Sequence, residues 1–142
     1  MPKNIKNTVS IKGLLIASVT YAILSTIAQG QYLFIQAYMV SIMWSVIYAG
    51  LTFFPALYSL KVLNKIRLEG IVMASMVLAA LIPLYSLFRD AALPLSYIDN
   101  SCVLIANGAY TAIGFDLKMG DLWRSMVFGG ISGYIYWLFI KR

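Results

Sequence analysis

Residues 13–60 read GLLIASVTYAILSTIAQGQYLFIQAYMVSIMWSVIYAGLTFFPALYSL, and not one of these 48 residues is charged. A helix needs about 20 consecutive apolar residues to cross a bilayer, so the run is too long for one crossing and sufficient for two. Its only interruption is Gln29-Gly30-Gln31, where polar and flexible residues favour a tight turn. This places a first span at about 13–28 and a second at about 32–57. The second is long for a hydrocarbon core of about 30 Å, so it is expected to tilt or kink, with Pro55 the natural point.

Outward from that run, Lys61, Lys65 and Arg67 close the second span, and a third follows at about 70–88 with Pro83 near its far end. Arg89 and Asp90 close the third span, and a last one runs from about 122 to 140 before Lys141 and Arg142. The segment between them, 89–121, reads as a short extracytoplasmic loop. Within it, the apolar stretch Cys102–Phe115 is short for a crossing, and Asn107-Gly108 between β-compatible runs is a strong hairpin signal. A re-entrant segment and a fifth span are the alternatives.

Charge sorting favours four spans. With the N-terminus cytoplasmic, the inner side holds Lys3, Lys6, Lys12, Lys61, Lys65, Arg67, Lys141 and Arg142 against one acid, Glu69. The outer side holds Arg89, Lys118 and Arg124 against Asp90, Asp99, Asp116 and Asp121. Every flank then obeys the positive-inside bias, which a fifth span would break at Lys141 and Arg142. The expected fold is an all-α, four-transmembrane-helix bundle forming one integral membrane domain over 1–142, with both termini cytoplasmic. Thr26-Ile27-Ala28 has the small-x-small form of a signal-peptide cleavage site, but the first segment is read as an uncleaved span.

Composition agrees. The 142 residues are 61% hydrophobic and 11% charged, with mean hydropathy +0.82, against about 45–50% apolar and about 25% charged in soluble domains. A soluble enzyme, a disordered tail and a nucleic-acid-binding module are excluded, and the net charge of +6 is accounted for by topology. There is no His, which removes the commonest general base and metal ligand. The single Cys102 makes neither a disulfide nor a zinc site. No catalytic residues, metal ligands or cofactor motifs emerge, so a non-enzymatic, multi-pass protein of a bacterial inner membrane is expected.

Three groups remain as candidate sites. Ser125, Gly129 and Gly133, spaced by four, form a small-residue face that admits another helix at close range. That helix belongs either to the same chain or to a partner protein or second copy. Tyr38, Ser41, Ser45, Tyr48 and Thr52 form a hydroxyl stripe along one face of the second span, fit for an interhelical seam or a polar pathway. Arg89, Asp90, Asp99, Asp116, Asp121 and Arg124 make an outer charged patch, either solvated loop charge or a recognition epitope. Tyr32, Tyr58, Tyr134, Tyr136, Trp123 and Trp137 fall where interfacial aromatic belts occur. No ionisable residue lies deep in a span, which disfavours ion-coupled transport.

With the lipid bilayer as solvent, the leading expectation is intramembrane protein–protein binding in an immunity, exclusion or accessory-subunit role. The alternative is a small transport protein, an oligomeric pore or a flippase for a lipid-linked substrate, working through the hydroxyl stripe.

Overall fold

The computed structural model describes residues 10–30, 34–63, 66–91, 97–99, 102–106 and 109–141. Four helices account for most of them: α1 (Ile11–Ala28), α2 (Ile35–Val62), α3 (Leu68–Ala91) and α4 (Ala112–Ile140). Between α3 and α4 lies a small antiparallel sheet, β1 (Tyr97–Asp99), β2 (Cys102–Ala106) and β3 (Ala109–Tyr110), in the order β1-β2-β3. Among the described residues, α1, α2 and α3 are long and apolar enough to cross a membrane.

The ends of the helices follow from local chemistry. Ser10 caps α1, its hydroxyl accepting from the Gly13 N–H at 3.1 Å, which satisfies an otherwise orphan donor of the first turn. At the other end the chain leaves α1 through Gln29 and Gly30, whose φ of 72° is the left-handed conformation that glycine adopts freely. The expected turn is therefore present at Gln29 and Gly30; Gln31 lies outside the described residues. Helix α2 runs unbroken through Pro55 to Val62, five residues beyond the expected end of the span. It is about 42 Å long at 1.5 Å per residue.

The largest correction concerns α4. Its start at Ala112 is ten residues before the expected 122, so Asp116, Lys118 and Asp121 lie on a helix and not in a loop. Thr111 sets the start, its side chain accepting from the Gly114 N–H at 3.0 Å. The hairpin reading of 102–115 holds as far as Tyr110. Ala106 pairs with Ala109 and Ile105 with Tyr110, so the strands close across positions 107 and 108, which are outside the described residues. The Tyr110 hydroxyl donates to the Leu87 carbonyl at 2.7 Å, and the Lys118 ammonium donates to the Ser86 hydroxyl at 2.8 Å. These two bonds hold the sheet and the start of α4 against the end of α3.

Helix α4 packs most extensively on α3 and also on α1; α1 packs on α2, and the α2–α3 contact is the thinnest of these. The apolar core joins Leu14 and Ala17 of α1, Phe53 and Leu57 of α2, Ile71 of α3, and Tyr136 and Ile140 of α4. Tyr136 is thus fully buried and not part of an aromatic belt. Its ring meets Phe53 edge-on at 4.8 Å between centroids, and its hydroxyl accepts from the Ser10 N–H at 3.2 Å. Tyr58, Trp123 and Tyr134 do face outward, while Tyr32 lies outside the described residues.

The outward faces of the bundle are apolar, unlike those of a soluble domain. Outward faces carry Ile35, Met39, Leu51, Met73 and Phe88, whereas Ser18, Thr26, Ser75 and Ser132 are buried. A continuous exposed apolar surface of this kind suits a lipid solvent.

Candidate functional site

The small-residue face of α4 lies against α3 of the same chain. A Cβ placed on Gly129 would fall 2.6 Å from both the Ala79 Cβ and the Ser75 carbonyl oxygen. One on Gly133 would fall 2.5 Å from the Ser75 Oγ and 3.2 Å from the Ile71 carbonyl oxygen. Only hydrogen fits at either position, and α3 fills the groove that the two glycines make. Of the two uses this face admits, the one seen is packing within the chain. Ser125 is half-buried.

The hydroxyl stripe of α2 has a different setting. Ser41, Ser45, Tyr48 and Thr52 all line one partly open cavity of about 550 Å³ walled by the four helices; Tyr38 does not. Cavities of about 300–1,000 Å³ hold small molecules or single lipid groups. Helix α1 contributes Ser18, Tyr21 and Ser25 to the walls, α3 contributes Ser75, and α4 contributes Ser132. These wall residues escaped the sequence reading, although Ser18, Tyr21 and Ser25 are spaced by 3 and 4 as the α2 stripe is.

One end of the cavity is closed by Leu14, Phe53 and Tyr136. Towards the other end its lining residues Val40 and Trp44 of α2 and Ile82 of α3 are 52%, 61% and 43% exposed. Gln29, the exposed C-cap of α1, also lines the cavity.

Hydrogen bonds fix what this lining offers. Ser18, Thr52 and Ser75 each donate to the carbonyl four residues earlier in their own helix, at 2.7, 2.7 and 2.8 Å. Tyr48 donates across to the Leu78 carbonyl of α3 at 2.7 Å, and Ser41 to the Ala22 carbonyl of α1 at 3.4 Å. These oxygens have used their proton and keep lone pairs that can accept. Among the described residues, no Asp, Glu, Lys or Arg lines the cavity, so these residues provide nothing to neutralise a charged guest.

The outer charged patch is described only in part. Asp121 and Arg124 form an i,i+3 pair at 3.5 Å with both side chains more than half exposed, a geometry worth about 0–1 kcal/mol. Asp116 is exposed on the first turns of α4, and Arg89 is in the last turn of α3. The side chains of Asp90 and Asp99 lie outside the described residues. Among the described residues no group of three or more carboxylates or thiols is placed to hold a metal ion. No family model matches the chain, and neither the curated proteins nor the solved structures contain a significant match.

Proposed function

We propose that this chain is a four-span protein of a bacterial inner membrane, both termini cytoplasmic, that takes an uncharged amphipathic molecule into its bundle and passes it across the bilayer without chemistry. The observation that carries this reading is the cavity: about 550 Å³, apolar over most of its wall, with hydroxyls from all four helices and no charged side chain among the described residues that line it. A hydroxyl lining offers a polar headgroup hydrogen bonds at a depth where hydrocarbon offers none. In this reading the cavity opens between α2 and α3 and leaves the attached chain in the bilayer. Helix α4 serves as the fourth span in this reading; it is less apolar than the others because it carries Asp116, Lys118, Asp121 and Arg124 in its first half and Gly129, Ser132, Gly133 and Tyr136 on its buried face.

A partner-binding role has to use another surface, because α3 already covers Gly129 and Gly133. The reading is tested by redistribution of a fluorescent diacylglycerol between leaflets of proteoliposomes, with empty vesicles and a Ser41/Ser45/Thr52→Ala variant as references. Faster redistribution with the wild type than with either reference supports transport. Equal rates in all three preparations eliminate it.

A further inference from the structure

A second hollow, of about 340 Å³, lies between α2 and α3, and Leu78 borders both it and the cavity. Ala56 and Leu60 of α2 and Gly70, Ala74 and Val77 of α3 line it, and among the described residues no lining side chain carries nitrogen or oxygen. Met73 and Val77 beside it are 59% and 54% exposed, so it is an open groove on the apolar outer surface. The small residues Ala56, Gly70 and Ala74 leave it unfilled, along the seam where the helix contact is thinnest. From Gly70 to Leu78 the groove runs about 12 Å at about 1.5 Å per residue. One leaflet contributes about 15 Å to a hydrocarbon core of about 30 Å, so an apolar slot of this depth takes an acyl chain.

The groove starts, at Gly70, close to where α2 passes into α3. The connecting segment 61–67 reads KVLNKIR, with three cations and no acid. Arg67 joins the first turn of α3, its carbonyl accepting from the Ile71 N–H at 3.0 Å. Three residues before Gly70 and seven before Ala74, it stands on the helix face that lines the groove, whereas Glu69, two positions on, stands on the opposite side. Arg67 is exposed, and a guanidinium offers phosphate two parallel N–H donors. A second copy of the chain is a poor occupant. Copies sharing one orientation in the membrane bring their 61–67 segments together, like charge against like.

We propose that this groove binds an anionic phospholipid, one acyl chain lying along Ala56, Gly70 and Ala74 and the phosphate resting on Arg67. In the orientation proposed above the leaflet is the cytoplasmic one; the site itself depends neither on that orientation nor on transport. The lipid fills the seam between α2 and α3, and because it binds only the folded bundle it stabilises it. One cation near the membrane surface contributes about 1 kcal/mol toward an anionic lipid, which is about fivefold in affinity.

Native mass spectrometry of the full chain tests this with two probes of identical acyl chains, dioleoylphosphatidylglycerol and dioleoylphosphatidylcholine. Wild type is expected to retain the phosphatidylglycerol about fivefold better, and to melt higher in its presence than in that of the phosphatidylcholine. Arg67→Gln should retain the two equally. Lys12→Gln removes a cation from the exposed side of the first turn of α1, away from the groove, and should keep the preference. Ala74→Leu fills the groove without altering charge and should lower retention of both lipids. Equal retention of the two lipids by wild type overturns the site. Equal loss of preference in Lys12→Gln and Arg67→Gln also overturns it, by showing a diffuse pull of the basic surface. Retention unchanged in Ala74→Leu removes the groove from the account, and a lipid-free dimer that Ala74→Leu dissociates puts a second copy there instead. Because Arg67 is exposed, Arg67→Gln keeps the fold and decides by itself where Ala74→Leu does not fold.

Discussion

Replacing Gly129 by Ala adds one methyl group where α3 and α4 touch. That methyl would sit 2.6 Å from the Ala79 Cβ and from the Ser75 carbonyl oxygen, whereas non-bonded carbons rest at about 3.5–4.0 Å. The helices must therefore part by about 1 Å, because a backbone carbonyl and a Cβ cannot rotate out of the way. Overpacking of a tight core by such a group costs about 1–3 kcal/mol, and the rigid neighbours put Gly129→Ala near the upper figure. Gly130→Ala meets the Met76 side chain at 3.3 and 3.5 Å and the Val72 Cγ1 at an ordinary 3.8 Å, and Gly50→Ala meets nothing within 4 Å. Both should stay within about 1 kcal/mol of wild type, since the flexible Met76 thioether can yield. Reversible unfolding in mixed micelles with increasing dodecyl sulfate, followed by tryptophan fluorescence, provides the comparison. The loss should not depend on protein concentration, because the contact lies within one chain. A Gly129→Ala variant as stable as Gly50→Ala, or a loss that vanishes at high protein concentration, refutes the packing argument.

Further expectations follow from single contacts. Tyr48→Phe removes the 2.7 Å bond to the Leu78 carbonyl that ties α2 to α3, and should lower stability in the same titration by about 0.6–1.7 kcal/mol. Thr111→Ala deletes the cap of α4; it should cost about 0.5–2 kcal/mol and raise amide exchange at residues 112–115, as read by mass spectrometry. Asp121→Ala breaks only a half-exposed pair and should shift the unfolding midpoint by no more than about 0.5 kcal/mol. With no His in the chain and no carboxylate or ammonium in the cavity wall, diacylglycerol redistribution should be flat between about pH 5 and pH 8.

The uncharged run at 13–60 and the charges bounding it were enough to place α1, α2 and α3, because crossing a bilayer demands length and apolarity that few other structures need. The hairpin was legible in Asn107-Gly108 for an equally local reason. The early start of α4 was not: Gly114, Asp116 and Gly120 resemble loop residues, and a cap by Thr111 competes with many other Thr residues that cap nothing. The α2 stripe was visible through its spacing, yet spacing does not say which neighbour a face meets. That Ser41 and Ser45 border a cavity while Gly129 and Gly133 meet α3 depends on how the four helices are arranged around one another. Tyr136 illustrates the same limit: near a helix end it reads as an interfacial residue, and only the approach of Ser10 and Phe53 turns it inward.

Ser45 lines the cavity from α2 and is half-buried, so Ser45→Trp places an indole in the cavity while leaving the α3–α4 contact untouched. The rate of fluorescent diacylglycerol redistribution in proteoliposomes holding this variant, beside wild type at equal protein density, bears most directly on the central claim. A variant that folds like wild type but redistributes lipid no faster than empty vesicles is the predicted result; a rate equal to wild type contradicts the account.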